Sequence, residues 1–244
     1  MRIRLIIALL ALAFPALSHA DETVSLKAGF MSLNPSGQIA AGGGSRVDLD
    51  STLNFKRSNS FTGEIALQFG DHRLSAEYLP LKFDGSGTLA SPVTFNGTTY
   101  TGTVTSQLKA DVVNLAYTYY LVNMDDMPSR LQLGIEAAVK ITQAQMSMSM
   151  AGTTSSRSVT LPIPTIGARG RVALADFLGL TGHVGYLGYA GNRFLDADAQ
   201  VEFSPVPMAG LYGGYRYISL KVDSKGVFAD TRFAGPYIGD FIRF

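Results

Sequence analysis

From Arg130 to Thr142 the chain alternates with period two. Leu131, Leu133, Ile135, Ala137, Val139 and Ile141 fall on one side, and Gln132, Glu136 and Lys140 on the other. Successive side chains of a strand point to opposite faces, so this spacing predicts a strand with one apolar and one polar face. Phe61 to Phe69 repeats it, with apolar residues or glycine at the odd positions. Three weaker copies follow. Val113, Leu115, Tyr117, Tyr119 and Leu121 share a side; Ile166, Ala168, Gly170, Val172 and Leu174 oppose Arg169 and Arg171; Ala197, Ala199, Val201 and Phe203 oppose Asp198, Gln200 and Glu202. Further strands are expected near 23–33, 72–84, 180–190, 208–222 and 231–244, about ten in all with eight as the alternative, and no convincing helical stripe competes with them. Within 72–84 the apolar parity changes from Leu74, Ala76 and Tyr78 to Leu79, Leu81 and Phe83. A bulge near Pro80 is the expected cause.

Connector lengths carry a second pattern. Long connections at 34–58, 85–105 and 149–157 alternate with short ones at Gly70-Asp71, 175–179 and 204–207; the stretch 122–129 is intermediate, and the connector after 190 is shorter than the alternation requires. Asn96-Gly97 is a hairpin signal inside the second long connection, so strands extending into a hairpin are expected there. Bacterial outer-membrane barrels have short periplasmic turns and longer outer loops. The predicted class is therefore all-β: a single antiparallel transmembrane β-barrel with long outer loops, short periplasmic turns and both termini in the periplasm.

Alternation alone also suits a soluble periplasmic β-sandwich, whose polar faces meet water. Here the polar side holds Glu64, Glu77, Glu136, Asp198 and Glu202 with Arg73, Lys140, Arg169, Arg171, Arg216 and Arg243, together with the small residues Gly134, Gly185 and Gly214. Opposite charges pair readily in a confined interior, so these are the candidate lumen charges. On the other face aromatics gather near strand ends: Phe69, Tyr117, Tyr119, Phe203 and Phe244 on the periplasmic side, Phe61, Phe83 and Tyr217 on the outer side. That distribution resembles two interfacial girdles.

The start of the chain sets the compartment. Arg2 and Arg4 precede an apolar run from Leu5 to Leu17, and Ser18-His19-Ala20 supplies small residues before Asp21. Residues 1–20 read as a cleaved signal peptide, too short for a spanning helix, which leaves 21–244 as one domain. The chain has no cysteine, so no disulfide framework or lipid-modified cysteine is available. Net charge is +1, and loss of Arg2 and Arg4 takes it to −1, which recommends no nucleic-acid partner. Charged residues make up 16%, against about 25% in a typical soluble domain.

The final segment, Phe233-Ala-Gly-Pro-Tyr-Ile-Gly-Asp-Phe-Ile-Arg-Phe244, resembles the last strand of bacterial outer-membrane proteins, although Asp240 breaks its apolar alternation. With Ala28-Gly29-Phe30, Tyr78-Leu79-Pro80-Leu81 and Gly213-Gly214-Tyr215-Arg216-Tyr217, the mature chain is similar to a family of small outer-membrane β-barrels of unassigned function. The resemblance implies location in the cell outer membrane. It also implies recognition of Ile242 and Phe244 by the barrel-insertion machinery.

Candidate chemistry is sparse. Barrel enzymes of similar size, the omptin-type proteases and the lipid A deacylases or acyltransferases, place His with Asp, Ser or Glu near the outer rim. His72, beside the first tight turn, and His183, at inward parity, both fall toward periplasmic ends and neither is followed by x-Ser, so they read as a solvated turn residue or a polar lumen contact and no catalytic residue is assigned. Met146, Met148 and Met150 recur at every second position; an apolar stripe accounts for them better than a soft-metal site does. Asp125-Asp126 reads as a solvated turn and Gly42-Gly43-Gly44-Ser45 as a mobile linker, so neither metal nor cofactor is expected. The expected function is a monomeric structural or binding barrel, with a narrow small-solute channel as its extension. The outer loops would engage lipopolysaccharide or another external ligand, with Arg46, Lys56, Arg57 and Arg157 as candidate phosphate contacts. An outer-membrane enzyme modifying lipid or peptide is the alternative.

Overall fold

The computed structural model describes residues 24–41, 43–124, 130–206, 208–224 and 226–244. The expected signal peptide, Gly42, and the turn containing Asp125 and Asp126 lie outside the described residues. Eleven strands and no helix occur among those described: β1 (Val24–Ala41), β2 (Val47–Asp48), β3 (Ser58–Phe69), β4 (His72–Phe95), β5 (Thr98–Asn123), β6 (Leu131–Met150), β7 (Thr153–Ala175), β8 (Leu178–Tyr189), β9 (Asn192–Val206), β10 (Ala209–Ser224) and β11 (Val227–Arg243). They form one antiparallel sheet in the order β11-β10-β9-β8-β7-β6-β5-β4-β3-β1-β2. β11 also pairs with β1, from Ser25↔Arg243 to Ala41↔Val227, so the sheet returns to its first strand. β2 pairs with β1 alone among the described strands, at Gln38↔Asp48 and Ile39↔Val47, leaving ten strands in the ring.

Two of the three expected long loops are strand. Residues 85–105 continue β4 and β5 up to a two-residue turn at Asn96 (φ 47°) and Gly97 (φ 80°), and 149–157 continue β6 and β7 to Ala151 (φ 48°) and Gly152 (φ 84°). Paired positive φ values belong to the hairpin turns whose twist matches the strands they join. These extensions are rich in Ser, Thr and Gly, so the alternation that marks a strand between unlike surroundings is weak in them.

The third connection, described over 43–57, is a folded loop. The Asp48 side chain accepts hydrogen bonds from the amides of Asp50 and Ser51, Leu49 N–H donates to the Gly37 carbonyl, and Lys56 N–H to that of Asp84. Leu49, Leu53 and Phe55 are all buried, and Leu53 and Phe55 lie against Gly85 of β4, where β3 has not yet begun. Gly85 and Gly87 make the seat: a Cβ on Gly87 would come within 1.9 Å of the Thr52 carbonyl oxygen.

No bulge occurs at Pro80. The β4–β5 register is unbroken from His72↔Tyr119 to Leu89↔Gly102, and its irregularity lies between Leu89 and Val93. Odd residues of β4 point inward from Arg73 to Leu89; the chemistry of the inward face is what changes. Pro80 sits just beyond Tyr78, the last β4 residue paired with β3, a position a strand tolerates. Phe83, expected in the outer girdle, is consequently interior, fully buried and 5.2 Å from the Phe233 ring.

Candidate functional site

The ring has two unlike faces. Outward, Leu133, Ile135, Val139 and Ile141 of β6 are exposed, as are Leu115, Tyr117 and Tyr119 of β5 and Val201 and Phe203 of β9. Phe69, Phe177 and Phe244 project near the chain-terminal end, where His72 Nδ1 also lies 2.7 Å from the Tyr117 hydroxyl. At the other end the outward positions turn polar and exposed: Lys82, Asp84, Asp111, Arg193 and Arg232.

Inward, the half nearest the termini is charged, and all eleven candidate lumen charges lie there. Arg73 bonds Glu64 at 2.7 Å, and Arg169 bonds Glu136 at 2.6 Å, with Thr118 donating to the same carboxylate. Arg216 forms a two-pronged pair with Asp196, at 2.9 and 2.8 Å, and reaches Glu77 with its other edge. Lys140 lies 2.8 Å from Asp196. Glu202 gathers three cations: Lys27 at 3.1 Å, Arg171 at 3.4 Å, and Arg243. The partners come from different strands, so each pair cross-braces the wall. Two spaces of about 40 and 50 Å³ remain among these groups, each enough for a few waters.

Asp196 and Lys27 were not among the expected lumen residues. Asp196 is fully buried and joins Lys140 to Arg216; it shares the spacing of Asp198, Gln200 and Glu202, but the expected strand began one residue too late to include it. His183 points into the lumen, as its inward parity implies, but lies further from the periplasmic end than expected, with Nδ1 2.8 Å from Asp198 and Nε2 3.7 Å from Asp196. No Ser or Thr hydroxyl bonds to it among the described residues.

Above this network the inward face becomes apolar. Glu77 is followed on β4 by Leu79, Leu81 and Phe83; Lys140 on β6 leads to Met146 and Met148; Arg216 on β10 leads to Ile218 and Leu220. Met148 is fully buried and its carbonyl accepts the Tyr100 hydroxyl at 3.0 Å, so the methionine stripe is interior lining. These faces enclose an apolar cavity of about 200 Å³ whose base is Lys140, Asp196 and Arg216.

The four loop cations do not converge on a common partner. The Arg46 guanidinium lies 3.8 Å from the Phe228 ring, Arg57 donates to the Asn34 side chain at 2.9 Å, Lys56 is exposed, and Arg157 lines the apolar cavity from β7. Ile242 and Phe244 project outward at the β11–β1 seam, where Phe244 and Val24 exchange backbone hydrogen bonds. Asp240 is also exposed at that parity.

No protein-family model matches the chain, and no curated protein does. Among solved structures it is similar to the outer membrane protease OmpT from Escherichia coli, with a TM-score of 0.66 over 94% of this chain and 99% of that one at 13% identity. The transport unit of the autotransporter AIDA-I from Escherichia coli gives 0.47 over 96% and 94% at 10% identity. The attachment invasion locus protein Ail of Yersinia pestis gives 0.43 over 91% and 99% at 13% identity. Identities this low establish fold and carry no activity across. The chain has the fold of bacterial outer-membrane β-barrel proteins.

Proposed function

We propose that this chain is an integral outer-membrane barrel with a binding role, closed to general solute passage by the charged half of its lumen. The outward apolar band supports membrane insertion. On β6 it runs from Leu131 to Ile141, eleven residues. At about 3.3 Å per residue and a tilt of about 45°, it covers about 25 Å, the height of the apolar band on such barrels. A ring of paired strands satisfies every wall hydrogen bond without water, the condition for spanning lipid.

The ion-pair network carries the closed-lumen reading. Glu77, Asp196 and Glu202 each hold a cation from a non-adjacent strand, Glu64 and Glu136 each hold one from the neighbouring strand, and the gaps between them are a few waters in size. A ten-stranded ring is in the range where side chains fill the interior, whereas open aqueous channels belong to rings of about sixteen strands or more. We assign no catalytic step, because His183 is engaged by two carboxylates and no Ser or Thr hydroxyl bonds to it among the described residues. The mature chain, refolded and checked for heat-dependent gel mobility, is expected to be electrically silent in a planar bilayer. Steady single-channel conductance would refute the closed lumen.

A further inference from the structure

A barrel mouth facing only water would ordinarily be lined by polar groups, because apolar surface left in water is unfavourable. Here the outer half of the lumen is apolar, and it is not collapsed. Leu108, Val112, Leu161 and Leu220 are only partly buried, and all four line the cavity of about 200 Å³. That volume exceeds the roughly 150 Å³ of an apolar cavity that takes up benzene, yet it is too small to take both tails of a two-chain lipid.

We propose that this chamber binds the hydrocarbon tail of a single-chain carboxylate of about ten carbons, with the tail toward Lys140 and the carboxylate at Arg157. The assignment rests on the barrel reading above. Depth follows from register. Lys140 forms part of the base, while Arg157 pairs with Met146, six residues further along β6. Six residues at about 3.3 Å, inclined at about 45°, give a depth of about 14 Å. An extended alkyl chain built of 1.5 Å bonds advances about 1.3 Å per carbon, so about ten carbons fill that depth.

Polarity follows from charge. At the base Lys140 is held by Asp196, and Arg216 by Asp196 and Glu77, so an incoming carboxylate meets cations already neutralised. At the mouth, Arg157 is exposed and has no acidic partner among the described residues. Arg46 stacks on Phe228, which also lines the chamber, and so adds a second positive charge near it. A carboxylate gains a charge-assisted contact only at the outer end.

The test is titration of the mature chain in detergent-free lipid nanodiscs with decanoate, against empty nanodiscs, with decanol as the uncharged probe. One saturable site per barrel is expected. Ala144→Phe fills the chamber from β6 and is expected to weaken both ligands by about tenfold or more; Ala110→Phe, from the paired position on β5, does the same should the first variant not refold. Arg157→Gln is expected to weaken decanoate about tenfold and to leave decanol nearly unchanged. Equal loss of both ligands in Arg157→Gln overturns the carboxylate placement. A heat-modifiable, silent barrel that binds no decanoate, or whose binding survives a filled chamber, overturns the chamber and leaves the barrel reading intact. A wild-type sample that conducts, or shows no heat-dependent mobility, overturns that reading instead.

Discussion

Asp196→Asn tests whether the charged half of the lumen behaves as buried protein or as solvent. The Asp196 carboxylate is inaccessible and serves two cations, Lys140 at 2.8 Å and the two-pronged Arg216. Neutralising it leaves Arg216 with Glu77, but strips Lys140 of its acidic partner among the described residues. Breaking a buried pair from one side costs about 3–5 kcal/mol, whereas the same change at a hydrated pair costs about 0–1 kcal/mol. Because Arg216 keeps one acid, the lower end of the buried range, about 3 kcal/mol, is expected. With a urea dependence of about 2 kcal/mol per molar, the unfolding midpoint in lipid vesicles should fall by about 1.5 M, read by loss of the fast-migrating folded band. Asp196→Asn with Lys140→Met removes the stranded ammonium and should recover at least 1 kcal/mol or so of the loss. A single-variant cost under about 1 kcal/mol, or no recovery in the double variant, would refute the buried network and with it the closed lumen.

Two further predictions probe the outer loop and the outward band. Gly87→Val places a side chain against the Thr52 carbonyl and should unseat residues 43–57, so trypsin cleaves after Lys56 and Arg57 faster than in wild type while the ring keeps its heat-dependent mobility; an unchanged cleavage rate refutes the seat. Ile135→Arg puts a charge in the middle of the β6 band and should cost about 2–4 kcal/mol in vesicle unfolding, against about 0–1 kcal/mol for Gln143→Arg beyond the band's end. Equal costs at the two positions would contradict the membrane placement.

Much of the ring was legible because a strand between lipid and a polar lumen alternates by necessity. Leu131 to Ile141 is readable without a structure, and its polar partners Glu136 and Lys140 are where the alternation puts them. Asn96-Gly97 likewise announced its hairpin, since a two-residue turn of positive φ favours those residues. Asp196 was missed because strand ends are the least determined part of a periodic pattern, and it lies one residue outside the expected one.

The chamber was illegible for a deeper reason. Alternation reports that two faces differ, but the sign of the difference depends on what lies outside. Along β4 the outward face is apolar at Leu74 and Tyr78, against lipid, and polar at Lys82 and Asp84, against water; the inward face runs the opposite way, from Arg73 and Glu77 to Leu79, Leu81 and Phe83. One unbroken strand crossing that boundary shows a parity switch identical to the one a bulge produces. The two causes separate only by pairing, and here Pro80↔Asp111 sits in an uninterrupted ladder. A parity switch without a register shift therefore marks both the outer limit of the apolar band and the base of an apolar interior above it. The same reading holds on β10, where Arg216 is the last charged inward residue before Ile218.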